Sequence, residues 1–202
     1  MNYELFSGLA VFALVASITP GPNNLMLMAS GANFGFRRTI PHSLGVAIGF
    51  TVMTLLVGSG LSQVFIQYPA SYTVLKVVSV AYLLYLAWKI GTAAPPSAET
   101  EVSGKPFTFF QAALFQWVNP KAWTMTLTAI SIYAPDQSLK SVALVSFVFG
   151  VINLPCICTW ILLGQKLRVL LTDPKQLRIF NITMASLLVL SLYPVLNVGT
   201  FS

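Results

Sequence analysis

Apolar residues recur in six long blocks along this chain, separated by short polar stretches. Each block is at or near the length of about 20 residues with which an α-helix spans a bilayer. Lipid offers the backbone no hydrogen bonds, and no block alternates with the period of two that barrel strands require. The pattern predicts an all-α integral membrane protein with six transmembrane helices, over Leu5–Asn33, Pro41–Phe65, Tyr72–Ile90, Phe107–Tyr133, Val142–Leu163 and Ile179–Val198.

Proline interrupts the first and fourth blocks, which are both longer than a span requires. The first contains Thr19–Asn24 (TPGPNN) and the fourth contains Gln116–Lys121 (QWVNPK). Proline has no N–H to donate to the preceding turn and moves the residue before it away from helical geometry. This pattern is typical of discontinuous transmembrane helices, so the first and fourth helices are predicted to be broken by proline.

The stretch 91–106 contains proline, serine, glycine and glutamate and is typical of a mobile linker. It divides a single transmembrane domain, 1–202, into halves of three spans each, 1–90 and 107–202. An odd number of spans per half makes the second half enter the membrane in the opposite sense, which predicts two inverted repeats. Phe34 lies twelve positions after Pro22 and Ile132 lies twelve positions after Pro120, so the two breaks are expected to meet near mid-membrane.

Composition and charge support the membrane class and exclude others. The chain is 56% apolar and 8% charged, with a mean hydropathy of +0.78, which leaves too little polar surface for a soluble globule. The net charge of +6 is scattered between apolar blocks and forms no nucleic-acid-binding face. The first residues lack the basic start of a secretory signal, so we expect them to remain as part of the first span.

Lysine and arginine predict the orientation of the spans. Basic residues concentrate in the loops that follow odd-numbered spans, eight against two on the opposite side, so these loops are expected in the cytoplasm and both termini outside it. The eight are Arg37, Arg38, Lys89, Lys105, Lys166, Arg168, Lys175 and Arg178, and the two are Lys76 and Lys140.

Lys121 is an ammonium with about a dozen largely apolar residues on either side. Burying this charge costs several kcal/mol unless it is paired or hydrated, so we expect it to bind an anion such as a substrate carboxylate. The alternative is a lysine that reaches the interface from a helix end. Asn23 and Asn24 begin the inner half-helix, whose N–H groups also suit a carboxylate. Their alternative role is simple N-capping.

The prolines also leave the carbonyls of Ala16, Ile18 and Gln116 without a helical donor, and these are expected to hold a substrate ammonium. Asn153, two residues before Pro155, either lines the same cavity or accompanies a kink. The candidate substrate-binding residues are therefore Thr19, Pro20, Gly21, Pro22, Asn23, Asn24, Gln116, Asn119, Pro120, Lys121 and Asn153.

Enzymatic chemistry has little support in the sequence. No carboxylate lies inside a predicted span, and one histidine with two closely spaced cysteines forms neither a catalytic triad nor a metal cluster. No P-loop is present, so neither an enzyme, a cofactor nor a metal is expected. His42 is interpreted as an interfacial residue, with a proton carrier as the alternative. Glycines at 31, 35, 45 and 49 are expected to bring the first two helices together.

Four motifs resemble those of the LysE/RhtB family of amino-acid exporters: TPGPNN at 19–24, GFRR at 35–38, YLLYLAWK at 82–89 and NPK at 119–121. The likeness runs from the first residues to the last span. It implies a six-helix secondary carrier that exports amino acids or close derivatives from the bacterial cytoplasm. The implied location is the inner membrane, and the implied partners are an amino acid and the lipid bilayer.

One position departs from the family pattern. Many members have an aspartate after a Gly-x-x-x-Gly in the second span, where this chain has Phe50 after Gly45 and Gly49. The departure resembles the branch that includes the cysteine and O-acetylserine exporter, and it removes the obvious proton-binding carboxylate. Proton coupling would then use Lys121, His42 or the substrate itself, and facilitated export without coupling stays open.

The combined prediction is export of a small neutral amino acid by alternating access around the two facing breaks. One alternative is an exporter of another small amphipathic solute or of a lipid-like molecule. Another is a membrane subunit that transports nothing. A homo-oligomer is compatible with all three functions.

Overall fold

Seven α-helices make up almost all of the structure, a computed structural model that describes residues 3–61, 63, 67–93, 105–171 and 173–193. None of the described residues forms a β-strand, which confirms the all-α class. A π-helical segment, Val57–Leu61, follows the second helix. The helices are α1 (Tyr3–Ile18), α2 (Pro22–Leu56), α3 (Pro69–Gly91), α4 (Phe109–Val118), α5 (Pro120–Tyr133), α6 (Leu139–Leu170) and α7 (Pro174–Leu190).

Three helical segments of the described chain are long and apolar enough to cross a membrane, judged by length and composition. They are Pro22–Leu61, Thr73–Gly91 and Leu139–Val169. Two shorter apolar helices, Tyr3–Ile18 and Phe109–Val118, accompany them. These helices agree with the predicted class of helical membrane protein.

Helix α2 changes direction at Gly35, which has a φ of 78° that favours glycine. The hydroxyls of Ser30 and Thr39 lie 2.9 Å apart. In a straight helix, residues nine apart would be separated by about 13.5 Å along the axis. The chain therefore folds back at Gly35, and α2 consists of two parts, 22–34 and 36–56. The predicted start of the second block at Pro41 is wrong, because Gly35 makes the turn alone.

The later helices extend beyond their predicted limits. Helix α6 continues through Pro155 and is longer at both ends than the predicted block. Helix α7 begins at Pro174, where the Asp173 carboxylate accepts a hydrogen bond of 2.8 Å from the Lys175 N–H and caps the helix. Residues 94–104 of the predicted linker and the predicted end of the last block at Val198 lie outside the described residues.

Glycines allow close helix packing, but between other helices than expected. A methyl group at Gly31 would overlap the carbonyl of Ile161, and one at Gly164 would overlap that of Met28, so α2 and α6 meet backbone to backbone. A Cβ at Gly49 would lie 2.6 Å from the Cα of Ala113 in α4. The expectation that these glycines join the first two helices is wrong. Small residues instead bring α2 against α6 and α4.

Candidate functional site

The helical chain is interrupted at two places that lie side by side. Helix α1 ends at Ile18 and α2 begins at Pro22, and only Asn119 separates α4 from α5. Pro22 and Pro120 occupy the first positions of their helices, where the missing N–H removes no helical hydrogen bond. Each of these prolines therefore begins a helix, and the two helix starts lie next to each other in the fold.

Lys121 joins the two interruptions. Its Nζ donates to the Thr19 carbonyl at 2.7 Å, to the Thr19 hydroxyl at 2.9 Å and to the Pro20 carbonyl at 3.2 Å. An ammonium has three hydrogens, and these three oxygens match them. A Cβ at Gly21 would lie 2.6 Å from the lysine Cδ, so glycine at this position lets the lysine stem lie against the backbone.

Two asparagines fasten the first interruption to its surroundings. The carboxamides of Asn23 and Gln116 exchange hydrogen bonds of 2.8 and 3.1 Å, which links the start of α2 to α4. The Nδ2 of Asn24 donates to the carbonyls of Ser17 and Thr19 at 2.8 and 2.7 Å, which holds the end of α1. Both carboxamides therefore connect separate pieces of chain.

The capping asparagine is Asn119. Its Oδ1 accepts a hydrogen bond of 3.1 Å from the N–H of Lys121 at the start of α5. The cap position of α2 is Gly21, and no side chain caps that helix. The N-capping interpretation of Asn23 and Asn24 is therefore wrong, because their side chains reach other partners.

The three carbonyls that were expected to lack donors each accept one hydrogen bond. The Ala16 carbonyl accepts from the Thr19 hydroxyl at 3.1 Å, and that of Ile18 accepts from the Trp160 indole at 3.1 Å. The Gln116 carbonyl accepts from the N–H of Asn119 at 3.3 Å. The expectation of donor-free carbonyls is wrong, although each oxygen has a second lone pair.

A cavity of about 20 Å³ lies where the two interruptions meet, with room for about one water molecule. Six predicted site residues contribute to its wall, whereas Thr19, Pro20, Pro22, Gln116 and Pro120 do not. The wall consists of Gly21, Asn23, Asn24, Asn119, Lys121 and Asn153 together with Ala16, Ser17, Phe50, Ala122, Met125 and Ile157.

Several polar groups of this wall have no hydrogen-bond partner among the described residues. The Ser17 hydroxyl is buried and unpartnered. The Asn153 carboxamide, 5% exposed, makes no hydrogen bond to a described residue. The Oδ1 of Asn24 and the Nδ2 of Asn119 are likewise uncommitted within the described part of the chain. Unpartnered polar groups in a buried wall are unusual, which makes this cavity the candidate functional site.

Sequence reasoning missed Ser17, Met125 and Ile157 in the wall and Trp160 behind it. Ser17 carried a signal, because it is a polar residue in an apolar helix two positions before the interruption. Met125 and Ile157 line the cavity, and Trp160 donates to the Ile18 carbonyl, only because α5 and α6 pack there, and no local spacing indicates this. Phe50, which also contributes to the wall, is 2% exposed, and its ring centroid lies 5.0 Å from that of Phe149.

His42 lies away from this cavity. Its ring is fully buried, and neither nitrogen has a partner in the described structure. The ring centroid lies 5.1 Å from that of Phe107. Among the described residues, no group of three or more histidine, cysteine or acidic side chains is placed to hold a metal.

Apolar helices long enough to cross a membrane, and an internal polar cavity between two helix interruptions, define a helical membrane protein with a buried polar site. The chain belongs to the LysE family, the LysE type translocators, whose match covers residues 14–191. This confirms the family resemblance that the four motifs indicated.

Individual relatives are similar over almost the whole chain. The cysteine/O-acetylserine efflux protein of Escherichia coli (strain K12) is 31% identical over 192 residues, which cover 94% of this chain and 96% of the relative. The protein of the same description from Salmonella typhi is 34% identical over 167 residues, covering 82% and 85%. No solved structure matches the chain.

Proposed function

We propose that this protein exports a small neutral amino acid or a derivative, of the size of cysteine or O-acetylserine, from the cytoplasm across the bacterial inner membrane. The descriptions of its relatives support this substrate class. The observation that carries the proposal is the Lys121 ammonium, held between two helix interruptions beside a cavity with unpartnered polar groups. A cation and amide groups together suit a zwitterion.

The proposed architecture has six spans in two inverted halves. Helix α1 and residues 22–34 would form the first span, and α4 and α5 the fourth, each interrupted at its proline. The ends of α1 at Ile18 and of α4 at Val118 support this assignment. The charge count favours both termini outside the cytoplasm.

In the proposed complex, the substrate carboxylate binds the Lys121 ammonium and the Nδ2 of Asn119. The substrate ammonium binds the uncommitted oxygens of Ser17, Asn24 and Asn153. The cavity of about 20 Å³ is far smaller than an amino acid, so binding requires the two interruptions to separate. A carboxylate favours that separation, because it offers Lys121 a charged partner in place of neutral oxygens.

Alternating access then requires contacts between the halves to form and break. The Lys121–Thr19 and Asn23–Gln116 hydrogen bonds join the first half to the second next to the cavity, whose wall includes Lys121 and Asn23. We propose that these bonds close the site in the conformation described and open as the halves rock or the helices bend at their interruptions.

The driving force is a separate part of the proposal. A proton-coupled cycle would use Lys121, His42 or the substrate itself, since Phe50 stands where many members of the family are expected to have an aspartate. Facilitated export would need neither. Efflux measured with and without an imposed pH gradient distinguishes the two, because only the coupled cycle responds to the gradient.

The decisive experiment replaces Lys121 and measures efflux of labelled cysteine and O-acetylserine from preloaded vesicles with equal amounts of protein. Lys121→Gln and Lys121→Ala are expected to lower efflux about tenfold or more, the equivalent of losing roughly 1.4 kcal/mol of binding. Lys140→Gln, an exposed lysine at the start of α6, is the matched control and is expected to transport normally. Undiminished efflux in the Lys121 variants would refute the site.

The alternatives give different results in the same assay. A carrier of lipid-like or other amphipathic solutes would move its substrate independently of Lys121. A subunit without transport activity would produce no flux of any solute. A panel of amino acids tested for growth protection in cells that express the protein separates these outcomes and identifies the substrate.

A further inference from the structure

A second, larger cavity follows the first along the same helix segment, where it is lined by residues between 26 and 34. Its volume is about 330 Å³, within the range of roughly 300–1,000 Å³ that small-molecule sites occupy. Its wall combines the end of this helix segment, the end of α3 and the residues before α4.

Two lysines supply the charge of this cavity. Lys89 and Lys105 both line it, and no carboxylate of the described residues does. The Nζ of Lys89 lies 4.4 Å from the centroid of the Phe107 ring, and this cation–π contact holds the lysine at the wall. Neither ammonium donates a hydrogen bond to a described residue. The cavity therefore has two cations that lack an anion among the described residues.

The neutral polar groups of the wall are already engaged. The carboxamide of Asn33 exchanges hydrogen bonds of 2.8 and 3.1 Å with that of Asn181. The Ser30 hydroxyl bonds that of Thr39, and the Thr92 hydroxyl donates to a backbone carbonyl of α3 at 2.8 Å. The groups left for recognition are the two ammoniums, so the fitting ligand is an anion.

The two cavities lie at successive depths along one helix segment. Asn24 contributes to the first wall, and five residues between Met26 and Phe34 contribute to the second. The two walls therefore follow one another along the segment, whose residues 24–34 span about 15 Å, close to half the hydrocarbon core of about 30 Å. The charge count favours the cytoplasmic end for this second cavity, so a solute that leaves the cytoplasm would reach it before Lys121.

We propose that this cavity is a cytoplasmic access site, in which Lys89 and Lys105 bind the substrate carboxylate before the amino acid moves to Lys121. The inference rests on the proposed function. An anionic lipid headgroup shares the chemistry of the carboxylate. The free amino acid is favoured because the cavity has the volume of a small-molecule site and its neutral polar side chains are already engaged, which leaves the two ammoniums for a small anion.

The test uses proteoliposomes of phosphatidylcholine alone, with protein oriented so that its cytoplasmic face is outside. Uptake of labelled O-acetylserine or cysteine, whichever the wild-type protein transports, is measured against concentration. The Lys89→Gln/Lys105→Gln double variant is expected to raise the half-saturating concentration about fivefold, as suits the loss of partly exposed charges, without changing the maximal rate. Lys166→Gln, another exposed lysine of the cytoplasmic side, should change neither value.

Two further experiments distinguish a loss of charge from a change in the fold, and substrate binding from lipid binding. Lys89→Arg/Lys105→Arg keeps both charges and is expected to retain the wild-type half-saturation. The carboxamide analogue of the substrate, which lacks the negative charge, should compete poorly with the wild-type protein. The double glutamine variant should lose this preference for the carboxylate.

The outcomes are distinguishable. Wild-type flux with an unchanged half-saturation in the glutamine variant overturns the access site and leaves the proposed function standing. An effect of the substitutions that appears only after phosphatidylglycerol is added assigns the lysines to lipid and also overturns it. Absence of flux in the wild-type protein for every amino acid tested overturns both proposals.

Discussion

The Lys121 ammonium lies 2.7 Å from the carbonyl oxygen of Thr19, a residue 102 positions earlier in the chain. Neutral oxygens of one helix interruption therefore satisfy the cation of the other. This arrangement lowers the cost of burying the charge without adding a permanent counter-ion. A carboxylate would make a stronger, charge-assisted hydrogen bond to Lys121 than these neutral oxygens do, and the proposed mechanism depends on this difference.

The first prediction concerns Gly21. Alanine at this position would overlap the stem of Lys121, whose Cδ would lie 2.6 Å from the new Cβ. The lysine end is flexible, so we expect the protein to fold while Lys121 loses its place. Efflux from preloaded vesicles should fall about tenfold, a change worth roughly 1.4 kcal/mol.

The matched control for Gly21→Ala is Gly91→Ala, where the added methyl would make only an ordinary contact of 3.4 Å with Ala185. This variant should transport at the wild-type rate. Normal efflux from Gly21→Ala would show that the position of the lysine stem does not limit transport.

The second prediction separates stability from binding at Ser17. Its buried hydroxyl has no partner among the described residues, and such a group costs about 1–3 kcal/mol, so Ser17→Ala should raise the free energy of unfolding by about 1 kcal/mol. The same change should weaken transport at low substrate concentration if the hydroxyl binds the substrate ammonium. Denaturant titration in detergent and concentration-dependent efflux measure the two effects.

Ser146→Ala is the comparison for Ser17→Ala. Its hydroxyl is also buried but donates to the Val142 carbonyl at 2.8 Å, away from the cavity. We expect no gain in its free energy of unfolding and no change in its transport. Identical behaviour of the two serine variants would argue against Ser17 as a substrate contact.

The third prediction concerns the Asn23–Gln116 pair. Each single alanine variant leaves the other carboxamide without its partner, so the double variant should lose less stability than the two singles together. Interhelical hydrogen bonds in membrane proteins average about 0.6 kcal/mol and reach about 1.7, which sets the expected coupling energy. The coupling energy is obtained from the free energies of unfolding, in mixed micelles, of the wild-type protein, the two single variants and the double variant.

A second double-mutant cycle, with Asn33→Ala and Gln116→Ala, is the reference for the Asn23–Gln116 cycle. Asn33 pairs with Asn181 and shares no partner with Gln116. Their effects should therefore add within about 0.3–0.5 kcal/mol. A coupling energy near zero for Asn23 and Gln116 would mean that the pair does not hold the two interruptions together.

The fourth prediction tests the packing of α2 on α6. A methyl group at Gly164 would overlap the Met28 carbonyl and lie 3.0 Å from the Ala32 nitrogen. Overpacking typically costs about 1–3 kcal/mol, and we expect Gly164→Ala to lower the free energy of unfolding by that amount. Gly91→Ala should leave it unchanged, and equal stability of the two variants would contradict the close packing.

Much of the fold follows from local patterns. Blocks of apolar residues predicted the helices, and prolines at 22 and 120 predicted where two of them begin, because proline acts on its own turn of backbone. The predicted first and last residues of the helices were less accurate. Gly35 turns the chain in one residue, and α6 passes through Pro155, since neighbouring contacts decide whether a helix bends or continues.

Residue types and their spacing were enough to mark Lys121 and the asparagines as candidate site residues, because a charge in an apolar run has to find a partner. The partners depend on which helices pack together. Thr19 accepts from Lys121, Gln116 pairs with Asn23, and Trp160 donates to Ile18 across separations of 93 to 142 residues. Such contacts leave no periodic signal along the chain, so only the packing of the helices decides which polar groups are engaged and which stay free for a ligand.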